Sequence, residues 1–211
     1  MSSPTGSDET SSSIAFFTTH PLTAPLLSDP TYNILHTTNP PFLNPLLASI
    51  ARSPTAIRHT LYLYRTGTSS SLPPSSQSSP SPQQPLSSSP RLASNSGPEG
   101  HLMVHIGPGV CGQAGIAHGG FLATVMDEVC GTLIPWTGFD NGMGMFTISL
   151  KLEYKAPVYV PEEGAVILAS VKVERVEGRR MFFGAVLRDA NGNVCTTAEA
   201  VFVRKRGGAG L

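Results

Sequence analysis

The chain of 211 residues has little of several features that mark particular protein classes. Its 14 basic residues are balanced by 14 acidic ones, so it has no overall excess of the positive charge that binds phosphate backbones. It has only three cysteines, an odd number, and they are widely spaced with no CxxC pair. These absences predict no nucleic-acid partner, no metal site and a reducing compartment.

Targeting and membrane-spanning signals are also missing. The first 22 residues, MSSPTGSDETSSSIAFFTTHPL, have no basic leading region and no apolar core of signal length. No stretch approaches the roughly 18 consecutive apolar residues of a membrane helix. We therefore expect a cytoplasmic protein with no membrane partner.

The distribution of serine and proline indicates how the chain is divided. Residues 69–90 contain 11 Ser and 6 Pro and no charge, a composition typical of disorder. Because each flank is too small to fold alone, we interpret 69–98 as a disordered insert within one domain spanning 56–206. We expect residues 1–55 to form a poorly ordered arm with short helical turns, and 207–211 to be a tail.

Alternation of apolar and polar residues indicates strands in the second half of the chain. In FTISLKLEYK, residues Ile148, Leu150, Leu152 and Tyr154 alternate with polar ones, which is the period-two pattern of a half-buried strand. Further strands are predicted at 56–66, 101–107 and 165–176, followed by a hairpin after residue 180. Strands on both sides of a single apolar helix indicate an α+β domain whose antiparallel sheet wraps around that helix.

The predicted helix lies in GIAHGGFLATVMDEVCG and its continuation, from Gly119 to just before Pro135. It is apolar on all faces, which is typical of a core helix. Asp127 at its middle is therefore costly unless it is paired or lines a cavity. Residues His118 and Asp127 are nine positions apart, about 13 Å along the axis and on opposite sides of the helix. If both act on one substrate, a second copy of the chain must supply one of them.

AHGGFLATVMDEVCG resembles the helix of the hotdog-fold thioesterase superfamily, in particular the PaaI-like and THEM-like acyl-CoA thioesterases. FTISLKLEYKAPV is similar to the next strand of that family. The resemblance implies the hotdog fold, hydrolysis of acyl-CoA or another acyl thioester to a free acid and a thiol, no cofactor, and a homodimer or homotetramer. A carboxylate is ionised at neutral pH, as a general base or a nucleophile must be.

The resemblance also implies roles for individual residues. The backbone N–H of Gly119, and that of Gly120, polarises the thioester carbonyl, while Asp127 of the partner subunit is the general base or nucleophile. His118 orders the turn or touches the thioester. Thr147 or Ser149 positions the attacking water.

One further site residue and two other functions complete the expectations. Gln113 is the amide nearest to the position where many relatives have an asparagine that holds the thioester. An accessory thioesterase acting on intermediates bound to a carrier protein, and a non-catalytic module that only binds acyl groups, are alternative functions. For Asp127 and His118 the alternative is a purely structural role. Glu128 is expected to be a surface or interface charge.

Overall fold

The computed structural model describes residues 6–35, 45–51, 53, 55–67 and 97–206. The predicted insert, apart from its last two residues, and the predicted tail lie outside these ranges. Antiparallel strands and one long helix dominate the described part. The strands are β1 (Asn33–Ile34), β2 (Ile57–Arg65), β3 (Glu99–Ile106), β4 (Cys111–Gln113), β5 (Ile116–Ala117), β6 (Met145–Tyr154), β7 (Ala165–Glu177), β8 (Arg180–Arg188) and β9 (Val194–Arg204). The helices are α1 (Gly6–Thr19), α2 (Ala24–Leu27), α3 (Pro45–Ala51) and α4 (Gly119–Thr137).

Seven of the strands form one sheet in the order β1-β2-β3-β7-β8-β9-β6. All neighbouring pairs are antiparallel. The helix α4 packs against one face of this sheet, and its buried side chains join those of β2, β3 and β7–β9 in the main core. This is the predicted α+β hotdog arrangement, and the prediction is confirmed. β4 and β5 form a small separate ladder just before α4.

The helix α4 begins at Gly119 as predicted but ends later than predicted. It continues through Pro135 to Thr137 and closes at Gly138, which has a left-handed φ of 68°. Pro135 has no N–H to donate to the Gly131 carbonyl, so the helix loses one hydrogen bond near its C-terminus. The Thr137 hydroxyl donates at 2.7 Å to the Ile134 carbonyl, which is one of the last four carbonyls of the helix and has no helical partner.

A second core lies on the opposite face of the sheet, where residues 1–55 were predicted to form only short helical turns. The structure has a 14-residue helix there, α1, followed by α2 and β1. Phe17 of α1 is fully buried against β2, β3 and β7. The sheet residues of this second core are Leu61, Leu63, Met103, Val166 and Leu168. These strands are apolar on both faces, so their outer face must be covered by another element. The element that covers it, α1, is rich in Ser and Thr and has no clear helical periodicity of apolar residues, so the sequence does not predict it.

A buried polar cluster fastens the N-terminal segment to the sheet. The Tyr32 hydroxyl donates to the Glu99 carboxylate, which also binds the Arg65 guanidinium at 2.6 Å. His101 contacts the Tyr32 hydroxyl through Nε2 at 3.0 Å and Ser170 through Nδ1 at 2.8 Å. Burial lowers the pKa of His101 to about 4, although the charge of Glu99 works in the opposite direction.

The strand β6 forms the free edge of the sheet opposite β1, since β9 is the one described strand that pairs with it. Two large apolar residues on it, Phe146 and Ile148, have 56% and 50% of their surface exposed. An unpaired edge with exposed apolar side chains is a surface on which another strand can pair. Among the described helices, none is both long enough and apolar enough to cross a membrane.

Candidate active site

The first turn of α4 is organised by His118. This residue is the N-cap, with extended backbone angles, and its ring Nδ1 accepts a hydrogen bond from the Gly120 N–H at 2.9 Å. A neutral ring that accepts at Nδ1 carries its proton on Nε2. His118 therefore satisfies one of the helix's unpaired N–H groups and presents a donor on the other side of the ring.

The peptide that joins Gly119 to Gly120 is held at both ends. His118 occupies its N–H group, and the Tyr154 hydroxyl at the end of β6 donates to the Gly119 carbonyl at 2.8 Å. The preceding N–H, that of Gly119 itself, has no acceptor among the described residues. Of the two predicted backbone donors, only that of Gly119 is open to a ligand. Tyr154 was not among the predicted site residues.

Asp127 lies in the middle of α4 and is half-buried. The Thr147 hydroxyl, on β6, donates to its Oδ1 atom at 2.9 Å. Its Oδ2 atom has no hydrogen-bond partner within the part of the chain that the structure describes. The carboxylate is thus held in one orientation with one oxygen still able to accept a proton.

A β-bulge explains how Thr147 reaches the helix. Thr147 pairs with Phe202 and Ser149 pairs with Val201, so Ile148 is an extra residue in β6. The extra residue reverses the alternation of faces, and both Thr147 and Leu150 lie on the helix side. If residues alternated uniformly along β6 without the bulge, Thr147 would lie on the outer face of the sheet, away from α4. Ser149, next to Leu150, lies on the outer face, so the structure does not bring it to Asp127.

Glu128 differs from its prediction. Only 6% of its surface is exposed, and its carboxylate lies 3.4 Å from the Thr132 hydroxyl. The expectation of a surface or interface charge is wrong for the single chain. Successive residues of a helix differ by 100° in direction, so the Glu128 side chain points into the protein interior. Tyr62 packs nearby, and burial, with added contributions from Cys130 and Glu128, raises its pKa well above the usual value.

Gln113 and the other residues with potentially reactive or metal-binding side chains are not gathered at Asp127. Gln113 is exposed on β4. Cys130 is fully buried, and burial raises the pKa of its thiol further from the thiolate form. His101 contacts the Ser170 hydroxyl, and His105 contacts the Glu163 carbonyl. The described residues contain no group of three or more potential metal ligands.

The open Gly119 N–H lies at the N-terminus of α4, whereas the Asp127 carboxylate lies in the middle of the same helix. Eight residues of helix separate them by about 12 Å along the axis. One copy of the chain therefore presents a donor site and a carboxylate site that do not meet on one substrate carbonyl.

Comparison with known proteins bears on this helix and the strands that follow. A sequence model of the thioesterase superfamily matches residues 114–196. The matched segment includes all of α4 and β6–β8, and therefore Gly119, Asp127, Thr147 and Tyr154.

Two relatives have names that state an activity. Acyl-coenzyme A thioesterase THEM4 of Xenopus laevis is 32% identical over 100 residues, which cover 46% of this chain and 41% of the relative. Acyl-coenzyme A thioesterase THEM5 of Mus musculus is 32% identical over 80 residues, covering 38% and 29%. A crystal structure of a thioesterase superfamily protein is 27% identical, with a TM-score of 0.44 over 50% of this chain and 48% of that one. The chain thus spans less than half the length of these curated relatives.

Proposed function

We propose that the chain is an acyl-CoA thioesterase, which hydrolyses acyl-CoA or a related acyl thioester to a free acid and a thiol. The match to the thioesterase superfamily over residues 114–196 and the names of the two relatives support this function. The observation that carries it is the Asp127 carboxylate, held by the Thr147 hydroxyl at 2.9 Å in the middle of a helix whose buried residues are mainly apolar.

In the proposed mechanism, Asp127 acts through its free oxygen, Oδ2. As a general base it takes a proton from water, whose oxygen then attacks the thioester carbonyl. Used as a nucleophile, the same oxygen bonds to the carbonyl carbon and forms an anhydride that water later cleaves. In both cases the carbon–sulfur bond breaks and a thiolate leaves. It takes the proton held by Asp127 in the general-base route and a proton from solvent water in the nucleophilic route.

The carbonyl oxygen becomes negatively charged during attack and needs a fixed donor. The Gly119 N–H supplies it, at the N-terminus of α4 where the helix dipole adds positive potential. His118 and Tyr154 hold the adjacent peptide, so the donor does not have to reorganise as charge develops. The Nε2–H of His118 is a second donor on this side of the site.

A homodimer brings the two halves of the site together in this proposal. The free edge of β6, with Phe146 and Ile148 exposed, is the surface for the second copy. Asp127 of one protomer then acts with Gly119 of its partner, since the two groups of one chain lie about 12 Å apart along the helix axis.

Thiol release from a panel of short, medium, long and aromatic acyl-CoAs tests the proposal. We expect wild-type protein to release thiol from at least one of them, and Asp127→Asn to lower kcat about 100-fold or more, since general-base catalysis contributes on that order. Glu199→Gln, which neutralises an exposed carboxylate on β9, is the matched control and keeps wild-type kcat.

Three outcomes distinguish the alternatives. Wild-type turnover by folded Asp127→Asn protein refutes the role of Asp127. Binding of acyl-CoA without thiol release from any ester indicates a non-catalytic acyl-binding module. Release only from an acyl group on a carrier protein indicates the accessory thioesterase.

A further inference from the structure

Five basic residues collect at one end of the main sheet. One lies in the turn between β7 and β8, one begins β8, one ends β9 and two follow it. They are Arg179, Arg180, Arg204, Lys205 and Arg206, and we call them the cation end. They are five of the chain's 14 basic residues, although the chain as a whole has no net charge.

Acidic side chains do not neutralise the cation end. The ion pairs among the described residues involve other partners, and none includes a residue of this group. Two neighbouring acids are otherwise engaged: Asp140 is buried and accepts the Gly144 N–H at 3.3 Å, and Glu177, which pairs with Arg180 in the sheet, accepts from Arg175 at 2.7 Å. A concentrated positive potential therefore remains at this end of the molecule.

Several of these cations are fixed in place. Arg179 donates to the Arg204 carbonyl at 2.9 Å, and Arg204 donates to the Phe139 carbonyl at 3.1 Å while its guanidinium lies over the Phe139 ring. The Lys205 ammonium lies 4.8 Å from the centre of the Phe146 ring. Guanidinium groups held in this way keep further N–H donors for an oxyanion and lose little entropy when they bind one.

The cation end begins close to the proposed catalytic carboxylate. Thr147, which holds Asp127, pairs with Phe202, and Arg204 is two residues further along β9, about 7 Å away along the strand. Phe146, which lies under Lys205, is the residue before Thr147. A ligand with a thioester at Asp127 and anionic groups on a connecting arm can contact both places.

We propose that the cation end binds the phosphate groups of the nucleotide portion of CoA, and so selects CoA as the thiol carrier. This inference rests on the proposed thioesterase function and specifies the thiol half of its substrate. CoA carries a pyrophosphate and a 3′-phosphate within one compact nucleotide. Several cations at one end of a sheet, two of them with anchored guanidinium groups, match that concentration of charge. Carboxylates spread along the surface of a carrier protein match it less well.

The test combines substitution of the three exposed cations with two substrates that share one acyl group. The variant Arg180→Gln/Lys205→Gln/Arg206→Gln leaves the anchored Arg179 and Arg204 in place. Acyl-CoA carries the phosphates, whereas the same acyl group on pantetheine has none. An exposed ion pair changes binding by about two- to fivefold, so the loss of three raises KM for acyl-CoA about tenfold.

We expect kcat for acyl-CoA, and both kinetic constants for acyl-pantetheine, to stay within twofold of wild type. Lys172→Gln removes an exposed cation of β7, outside both the cation end and the proposed dimer surface, and is the matched control, with no change for either substrate. Titration calorimetry with 3′-phospho-ADP measures the same site without any turnover, and the triple variant should bind this nucleotide about tenfold more weakly.

The proposal would be overturned if both variants and the wild type had equal KM values for acyl-CoA and bound the nucleotide equally well. Turnover of acyl-pantetheine in that experiment would leave the thioesterase function intact. Loss of turnover confined to carrier-bound acyl groups would also overturn it, in favour of an acidic carrier protein. If no thioester is hydrolysed, the thioesterase proposal fails, and the nucleotide titration still decides whether the cation end binds phosphates.

Discussion

The Thr147 hydroxyl donates a 2.9 Å hydrogen bond to the Asp127 carboxylate across 20 residues of sequence. This bond joins the edge strand β6 to the middle of α4. It leaves one carboxylate oxygen without a partner among the described residues, and it sets the direction in which that oxygen points. The geometry of the proposed base therefore depends on the register of an edge strand.

Substitution of Thr147 by valine removes this hydrogen bond with little change in shape. A hydrogen bond to a charged group contributes about 1.5 to 3 kcal/mol, so we expect kcat to fall about tenfold or more. Thr147→Ser keeps the hydroxyl and should retain most of the activity. Steady-state kinetics on the best acyl-CoA measures both, and equal kcat values for the two variants would contradict the assignment.

Tyr154→Phe tests the clamp on the first turn of α4. The variant keeps the ring against Gly119 but removes the donor to its carbonyl. We expect kcat to fall about three- to tenfold with KM unchanged, because one neutral hydrogen bond contributes roughly 1 kcal/mol. Tyr159→Phe is the control, since Tyr159 is highly exposed. A loss of thermal stability equal to the loss of activity would instead indicate a purely structural bond.

Gly119→Pro removes the proposed oxyanion donor without disturbing the helix. Proline is favoured at the first position of a helix, and His118 already has the extended angles that a residue before proline adopts. We expect kcat to fall about 100-fold or more. Gly119→Ala retains the N–H and places its Cβ at an ordinary 3.4 Å from the Tyr154 ring, so it should keep most activity.

Mixing two inactive variants tests whether the site is shared between protomers. In a dimer of Asp127→Asn with Gly119→Pro, one site has both defects and the other has neither. Random exchange makes half of the dimers mixed, so about a quarter of wild-type activity should return. If each chain carries its own complete site, mixing restores nothing. Sedimentation velocity on the mixture establishes that dimers are present.

His101 gives the fold a dependence on pH. Burial lowers its pKa to about 4, below the usual value near 6.5, so between these pH values the unfolded chain binds more protons than the folded one. The contribution of His101 to stability is present above pH 6.5 and is lost as the pH falls towards 4, by up to roughly 3 kcal/mol.

Urea unfolding at a series of pH values from 7.5 to 4.5 measures this loss. Burial also lowers the pKa values of His59 and His105, which add to the wild-type slope. We expect His101→Gln to flatten the dependence of the free energy of unfolding on pH without abolishing it. Identical slopes for the variant and the wild type would refute the contribution of His101.

Much of the fold follows from local patterns in the sequence. The apolar helix from Gly119, the strands at 57–65 and 165–177 and the final hairpin all have periodicities that their burial explains. The second core does not follow in this way. Phe17 lies in a segment rich in Ser and Thr, and its burial is determined by the outer faces of β2, β3 and β7 rather than by its own neighbours.

The candidate site was predicted only where it depends on local structure. Asp127 stands out because a carboxylate inside an apolar helix requires an explanation, and Gly119 because helix N-termini have open N–H groups. Thr147 is named by the family resemblance alone, because strand alternation places it on the outer face. The bulge at Ile148, which reverses that face, has no glycine or other local signal. Tyr154 was missed, because its contact with Gly119 joins positions 35 residues apart.

Because the sheet has a core on each face, the effect of a substitution on stability depends on how far the strand lies from the centre of the sheet. At the centre, β3 and the first half of β7 are covered on both sides, so almost every side chain there is confined and a polar replacement has no route to water. Towards β6 one face opens, and alternate positions become permissive. Substitutions should therefore unfold the protein most often at this centre, and towards β6 they should affect activity and dimer formation more than the stability of the fold.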